Sequence, residues 1–275
     1  MRDDQAAGLR RLFAHRAARV MLVAESAWPR RGWLSLNLAA AFARAGEQVV
    51  VLDAERESVA GLWGARCRYE LNHVLDGDRR LVDVVVPGPE SSVILPMRRG
   101  GAALARQGRA GQRLLARVLD AFVDHDGLLI VPVSPARLES PLWRFGGGDL
   151  LLCIGEGSVA TTHAYASIKS LLAHRPWPSI RVAFACADQR QAPQVRFEHL
   201  APVVKRFLGA TLGFAGGLSA SDLAQGLPCR TFFDDAPAAA RPIEALALAV
   251  GGWRLPQLEF TARHEARHSS EVVTI

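Results

Sequence analysis

Two uninterrupted apolar runs, Val20-Met21-Leu22-Val23-Ala24 and Val49-Val50-Val51-Leu52, flank a helix-forming stretch from Trp33 to Ala45. A run without polar alternation is what a strand buried on both faces requires, and such strands belong to parallel sheets covered by helices on both sides. The intervening stretch is rich in Ala and Leu and is followed by Gly46, so it reads as a helix lying flat on the sheet with a glycine at its C-terminal cap. Arg19 to Asp53 is therefore a strand, loop, helix, strand unit, the opening of a nucleotide-binding α/β architecture. Its loop, Ser26-Ala27-Trp28-Pro29-Arg30-Arg31-Gly32, departs from what phosphate binding asks for. A phosphate cradle uses several glycines, so that successive N–H groups turn toward oxygen, and a lysine followed by Ser or Thr for charge and Mg²⁺. Here a single glycine remains, Pro29 has no N–H to donate, Trp28 is bulky where phosphate needs space, and Gly32 stands where the Mg²⁺-binding hydroxyl belongs. The scaffold reads as nucleotide-binding, and its phosphate chemistry reads as removed.

The charge pattern bears on the same loop. Basic residues number 33 against 27 acidic, and the only lysines are Lys169 and Lys205, so none precedes the first helix. Arg31 is the available substitute, but guanidinium is a planar fork and ammonium a compact point charge, and the exchange is not conservative. The net charge of +6 suits weak affinity for DNA or anionic lipid, but it reads first as an arginine-rich solvated surface; no specific nucleic acid is expected. A length of 275 residues with 49% hydrophobic and 22% charged residues fits one large globular α/β domain. The four cysteines, Cys67, Cys153, Cys186 and Cys229, form no C-x-x-C pair, so they read as buried small hydrophobes rather than a zinc or redox site, and no metal site is expected. No apolar run approaches the ~18 residues of a membrane span. The N-terminus lacks a signal peptide's apolar centre, which points to the cytoplasm, with any membrane or polar recruitment peripheral and through a partner.

Along the chain, residues 1–18 read as an amphipathic helix with Leu9, Leu12 and Phe13 on one side, residues 19–253 as the α/β domain, and residues 254–275 as a polar tail. Asp53-Ala54-Glu55 ends the second strand on the edge where open α/β sheets bind ligands. The pair could hold Mg²⁺ or orient a water, or simply cap the strand. Short helical turns are expected at Leu71–Leu75 and Leu81–Val85, a reversal at Pro87-Gly88-Pro89, and a strand at Val93–Leu95. A basic loop, Arg98 to Gly101, then leads into a long helix from Ala102 to Val123. The strand Leu128–Val131 ends in Pro132-Val133-Ser134-Pro135, where a nucleotide hydrolase places an aspartate for its Mg²⁺ shell. Gly146-Gly147-Gly148 precedes a strand, Leu150–Ile154, and reads as a connector. A Ser158-capped helix to Leu172, a strand at Ile180–Phe184, a helix over Val195–Leu208 and a short strand at Leu212–Phe214 follow, with helical turns at Ser219–Asp222 and Pro242–Val250.

The segment Asp4-Gln5-Ala6-Ala7-Gly8-Leu9-Arg10 ahead of this core resembles the D-Q-A-x-x-L-R element of the flagellar-number regulators, the FlhG/FleN (YlxH) branch of the MinD/ParA-like ATPases. Further matching pieces occur in the same order: Ser35-Leu36-Asn37-Leu38-Ala39, Val51-Leu52-Asp53-Ala54, Arg68-Tyr69-Glu70-Leu71, Val93-Ile94-Leu95-Pro96 and Ala164-Tyr165-Ala166-Ser167-Ile168-Lys169. The resemblance implies a mostly parallel sheet with helices on both faces, a P-loop fold with the deviant Walker motif K-G-G-V-G-K-[ST] on Ser26 to Gly32. The signature lysine is then Ser26 and the second lysine Arg31. The family's D-A-D becomes Asp53-Ala54-Glu55, a residual switch. The second switch aspartate falls at Val131 or Pro132, and the adenine-reading asparagine at Ala185 or Cys186.

In that family the N-terminal element acts on FlhF, a signal-recognition-type GTPase, and stimulates its GTP hydrolysis. The matching positions are Asp4, Gln5, Ala6, Leu9 and Arg10. Gln can orient a water and Arg can offset transition-state charge, so the element is chemically apt for that task. Three functions compete. The first is a pseudo-ATPase without cofactor that presents its N-terminal helix to an FlhF-type GTPase, with flagellar switch or transcription-factor proteins as further partners. The second is an ATPase using ATP and Mg²⁺ through Arg31 and Glu55. The third is a ParA-like accessory associated with DNA or a surface.

Overall fold

Residue alternation along the first strand divides the core in two. The computed structural model describes residues 19–26, 32–55, 58–107, 110–111, 114–115, 127–138, 149–174, 179–185 and 192–218. In chain order they form β1 (Arg19–Ser26), α1 (Trp33–Arg44), β2 (Val49–Asp53), α2 (Val59–Leu62), α3 (Leu71–Leu75) and α4 (Leu81–Val84). Next come β3 (Val86–Pro87), β4 (Val93–Pro96), α5 (Arg98–Arg106) and β5 (Leu128–Val133). The last are β6 (Asp149–Ile154), α6 (Gly157–His174), β7 (Ser179–Ala185), α7 (Ala192–Leu208) and β8 (Leu212–Leu218). The strands join in the order β3-β4-β2-β5-β1-β6-β7-β8. All pairs are parallel except β3 with β4.

On β1, Val20, Leu22 and Ala24 pack on one face with residues of α3, α5, α6 and α7, among them Leu71, Leu104, Ile168 and Val204. Met21 and Val23 pack on the other with α1 and α2, including Leu34, Leu38, Phe42 and Val59. Every side chain from Val20 to Ala24 is buried, as the unbroken apolar run requires. Each fully buried Leu or Val contributes about 1.5–3 kcal/mol. The central strands therefore account for much of the stability. The register runs Arg19↔Leu128 to Ala24↔Val133 on one side and Leu22↔Leu150 to Ser26↔Ile154 on the other. β5 pairs with β2 only as far as Ile130, so Pro132, which has no N–H, lies beyond that ladder.

The first helix ends as expected. Gly46, at φ 88, follows α1, and Glu47 N–H donates to the Phe42 carbonyl at 3.0 Å while Gly46 N–H donates to that of Ala43. This is a Schellman closure, and it needs a residue free to adopt a left-handed backbone.

Four expectations are corrected. Arg98 to Gly101 is the first turn of α5 rather than a loop. Arg99 N–H donates to Glu70 Oε2 at 2.8 Å, so a carboxylate from the neighbouring helix start satisfies an otherwise orphaned helix donor. Gly100 allows that approach, since a Cβ there would lie 2.8 Å from the Asn72 nitrogen and 2.9 Å from Leu71 Cβ. The glycine pair that reads as a break marks close helix packing. Second, Cys67 is exposed rather than buried, in the surface segment before α3, whereas Cys153 is buried. Third, β8 extends to Leu218, because a bulge opposite Val182 and Ala183, with Gly216 at φ 130, lets pairing resume past Phe214. Fourth, α6 begins at Gly157, one residue before the expected cap.

The helix expected over residues 1–18, Gly146 to Gly148, the turns expected at Ser219–Asp222 and Pro242–Val250, and the tail lie outside the described residues. Among the described residues no helix is long and apolar enough to cross a membrane.

Gly100→Ala is expected to cost about 1–3 kcal/mol through backbone overlap with α3. Gly46→Ala, where no atom lies within 4 Å of the added Cβ, is expected to cost only about 1–2 kcal/mol, from the left-handed backbone. Urea unfolding midpoints of the two variants against the parent check both figures.

Candidate functional site

The order in which successive strands are added reverses at β1: β2 and β4 lie to one side beyond β5, and β6 to β8 to the other. The carboxyl end of β1 is therefore the crevice in which an open α/β sheet binds its ligand. Alternation carries on past the apolar run. Glu25 takes the α1 face, like Met21 and Val23, and Ser26 takes the α6 face. Ser26 Oγ lies 3.4 Å from Ser167 Oγ of α6, and either hydroxyl can donate.

Glu25 is buried, at 5% exposure, and its Oε2 accepts the N–H of Gly32 at 2.8 Å. Gly32 is the residue immediately before α1, and the Leu36 N–H closes the first helical turn on its carbonyl. A glycine is needed there twice over. Its φ is 86, and a Cβ would meet Leu62 Cδ1 at 2.9 Å and Val59 Cγ2 at 3.2 Å. No side chain caps α1 at that position and its first turn carries no acidic residue. The negative charge that a helix N-terminus favours comes instead from the end of the preceding strand.

Opposite Glu25 in the β1–β6 register stands Cys153. Burial pushes its thiol well above the ordinary range and the Glu25 charge adds to the shift, so Cys153 remains a neutral thiol.

The Asp53 carboxylate is buried and takes three donors. Ser58 Oγ donates to Oδ2 at 2.6 Å, Val59 N–H to Oδ1 at 3.0 Å and Ala60 N–H to Oδ2 at 3.0 Å. Ser58 Oγ in turn accepts from Gly61 N–H at 3.1 Å. Of the roles open to Asp53, this is the cap, although the helix start it closes is that of α2 rather than the end of β2. Glu55 Oε2 accepts from Arg137 Nη1 at 3.3 Å. That pair ties the loop after β2 to the loop after β5, and the two side chains are 15% and 43% exposed.

Two cavities flank this edge. One of about 310 Å³ is lined by Glu25, Gly32, Glu55, Pro132, Ser134 and Arg137. The other, of about 390 Å³, lies toward α6 and is lined by Glu25, Ser26, Ser134, His163, Ser167 and Ser170. Glu25 and Ser134 border both. Ser134 is 5% exposed, and its hydroxyl has no hydrogen-bond partner among the described residues.

At the carboxyl ends of β6 and β7, Arg196 of α7 donates to the carbonyls of Ala185 (3.0 Å) and Gly155 (2.7 Å) and to Thr161 Oγ1 (3.2 Å), with its guanidinium 4.8 Å above the Phe184 ring. It fastens the ends of β6 and β7 to α6. Lys169 and Lys205 are exposed on α6 and α7 and border neither cavity. Among the described residues no group of three or more His, Cys, Asp or Glu is placed to hold a metal ion.

Of the residues singled out in the sequence, Ser26, Gly32, Asp53 and Glu55 come together here. Ala27, Trp28, Pro29, Arg30 and Arg31 lie outside the described residues, as do Asp4, Gln5, Ala6, Leu9, Arg10 and Cys186. Glu25, Ser58, Ser134, Arg137 and Arg196 were not anticipated. The signal for Glu25 was present, an acid closing an apolar strand, and alternation alone assigns its face. Arg137 had none, since its partner is 82 residues away.

Strand order, switch-point crevice and the helix that starts beyond β1 define the fold of the MinD- and ParA-type ATPases. The MinD cell division protein of Aquifex aeolicus matches with a TM-score of 0.61 at 16% identity, covering 87% of this chain and 99% of that one. A ParA family ATPase from Chlorobium tepidum matches at 0.57 and 14% identity, covering 85% and 98%. In sequence the chain is 26% identical over 247 residues to the antiactivator FleN of Pseudomonas aeruginosa, spanning 86% of this chain and 88% of that protein. No protein-family model matches. The resemblance to MinD/ParA-like ATPases and their flagellar-number branch is borne out.

Asp53→Ala is expected to cost about 2–4 kcal/mol, because it leaves buried N–H donors without an acceptor. The Glu55–Arg137 coupling is expected below about 1 kcal/mol, since the Arg137 side chain is 43% exposed and the pair is partly screened. Urea unfolding of the single variants and a double-mutant cycle check this ranking.

Proposed function

We propose that the chain is a non-catalytic regulator of the FleN type, which sets flagellar number or placement by contact with other proteins rather than by turning over a nucleotide. The observation that carries the reading is its similarity to the antiactivator FleN along most of both chains. The arrangement at the switch point supports the non-catalytic half. The Gly32 N–H is taken by Glu25, Asp53 is taken by the start of α2, and Glu55 faces Arg137. A Mg²⁺-nucleotide does not fit this set, since its phosphate would compete with a buried carboxylate for one N–H and its metal would find the Asp53 oxygens already bonded. The output then falls to residues 1–18, with Asp4, Gln5, Ala6, Leu9 and Arg10 presented to an FlhF-type GTPase, Gln5 orienting the attacking water and Arg10 offsetting transition-state charge.

GTP turnover by FlhF is the test. The full chain is expected to accelerate it, and a Gln5→Ala, Arg10→Ala variant is expected to lose the acceleration; no acceleration by the parent chain overturns the reading. The competing ATPase function is tested by calorimetry with Mg-ATP. No binding heat is expected at millimolar nucleotide, and saturable binding would favour the ATPase.

A further inference from the structure

We propose that Glu25 is a built-in occupant of the anion position at the start of α1, a carboxylate supplied by the chain where a phosphate group would otherwise sit. The inference deepens the reading of a nucleotide-free core and rests on it for its functional meaning, but its physical basis is local. A twelve-residue helix, α1, opens directly beyond the central strand, and its leading N–H groups and dipole favour an anion. No acid lies in its first turn and no side chain caps it. The anion found at its Gly32 N–H is the Glu25 carboxylate, at 2.8 Å and 5% exposure. A buried carboxylate is retained only where donors and charge offset its desolvation, and the helix start offers both. Ser134 supplies a second, independent observation. Its hydroxyl is buried, has no hydrogen-bond partner among the described residues, and borders the same two cavities as Glu25. It is a hydroxyl lining the same cavities into which the Glu25 side chain faces.

It follows that an outside anion and the Glu25 carboxylate exclude each other. Shortening Glu25 removes the occupant and leaves Gly32 N–H and Ser134 Oγ to receive a tetrahedral oxyanion. The probe is inorganic phosphate, compared with chloride at matched ionic strength, and the readout is the thermal midpoint of the full chain. The parent is expected to show no phosphate-specific shift. Glu25→Ala is expected to melt lower than the parent and to recover about 2 °C or more as phosphate is raised, because a ligand that binds only the folded state lifts its midpoint.

Glu25→Ser, also shorter, guards against a Glu25→Ala variant that fails to fold, and it too is expected to gain a phosphate-dependent rise. Glu25→Gln keeps the volume and an oxygen for the Gly32 N–H and is expected to stay phosphate-insensitive. Phosphate-insensitive Ala and Ser variants, or a parent that responds to phosphate as strongly as they do, would overturn the proposal. The outcome is separable from that of the functional reading, because neither a GTPase nor a nucleotide is in the experiment. A parent chain that binds Mg-ATP while only the Glu25 variants respond to phosphate would end the nucleotide-free reading and leave the occupancy of the anion position standing.

Discussion

The structure depends on the burial of β1 on both faces. Because Val20 to Ala24 are all covered, the strand must lie inside the sheet with helices above and below, and β5 and β6 are its neighbours. The same alternation decides what happens where the apolar run ends. A residue on the α1 face there looks directly at the start of α1, and that residue is Glu25. The geometry that in this fold delivers a phosphate loop here delivers a carboxylate to the helix.

Most polar groups at this edge are then used in holding the fold together, with the Ser134 hydroxyl the exception. Asp53 bonds three donors at the start of α2, the Glu55–Arg137 pair ties two loops, and Arg196 bonds the ends of β6 and β7. The buried contacts matter most. Asp53 and Glu25 sit where an unsatisfied group would cost about 1–3 kcal/mol, whereas the Arg137 pair is screened by solvent. The result is a switch-point edge at which the Gly32 N–H and the Asp53 carboxylate are bonded within the chain, in a protein whose two lysines lie on outer helices. An ATPase keeps such groups available to ligand and metal; this chain uses them internally, which is consistent with a scaffold whose function lies in contacts with other proteins.

Much of this was legible in the sequence, for reasons that differ by element. β1, α1 and β2 were, because unbroken apolar runs and a small-residue helix admit one arrangement, and Gly46 marks the helix end with its left-handed backbone. Leu71–Leu75 was read to the residue, since Asp76-Gly77 closes it. Arg98 to Gly101 was misread because a glycine's role in close packing looks, in one dimension, like its role in a break; only the nearness of Asn72 distinguishes them. The loss of phosphate chemistry from Ser26 to Gly32 was legible as residue types. The replacement of the phosphate by Glu25 was not, because it depends on which face of the strand the acid takes and on how the chain returns to Gly32 seven residues later. The link from Glu55 to Arg137 joins residues far apart in sequence and has no local signature.

The central claim is that the anion position of α1 is filled from within. It is tested most directly by the amide resonance of Gly32 in isotope-labelled protein. If Glu25 holds that N–H, the signal is shifted downfield, protected from solvent exchange and unmoved by added phosphate, and Glu25→Gln displaces it upfield. A Gly32 amide that exchanges freely in the parent chain, or that moves on addition of phosphate with Glu25 intact, would contradict the account.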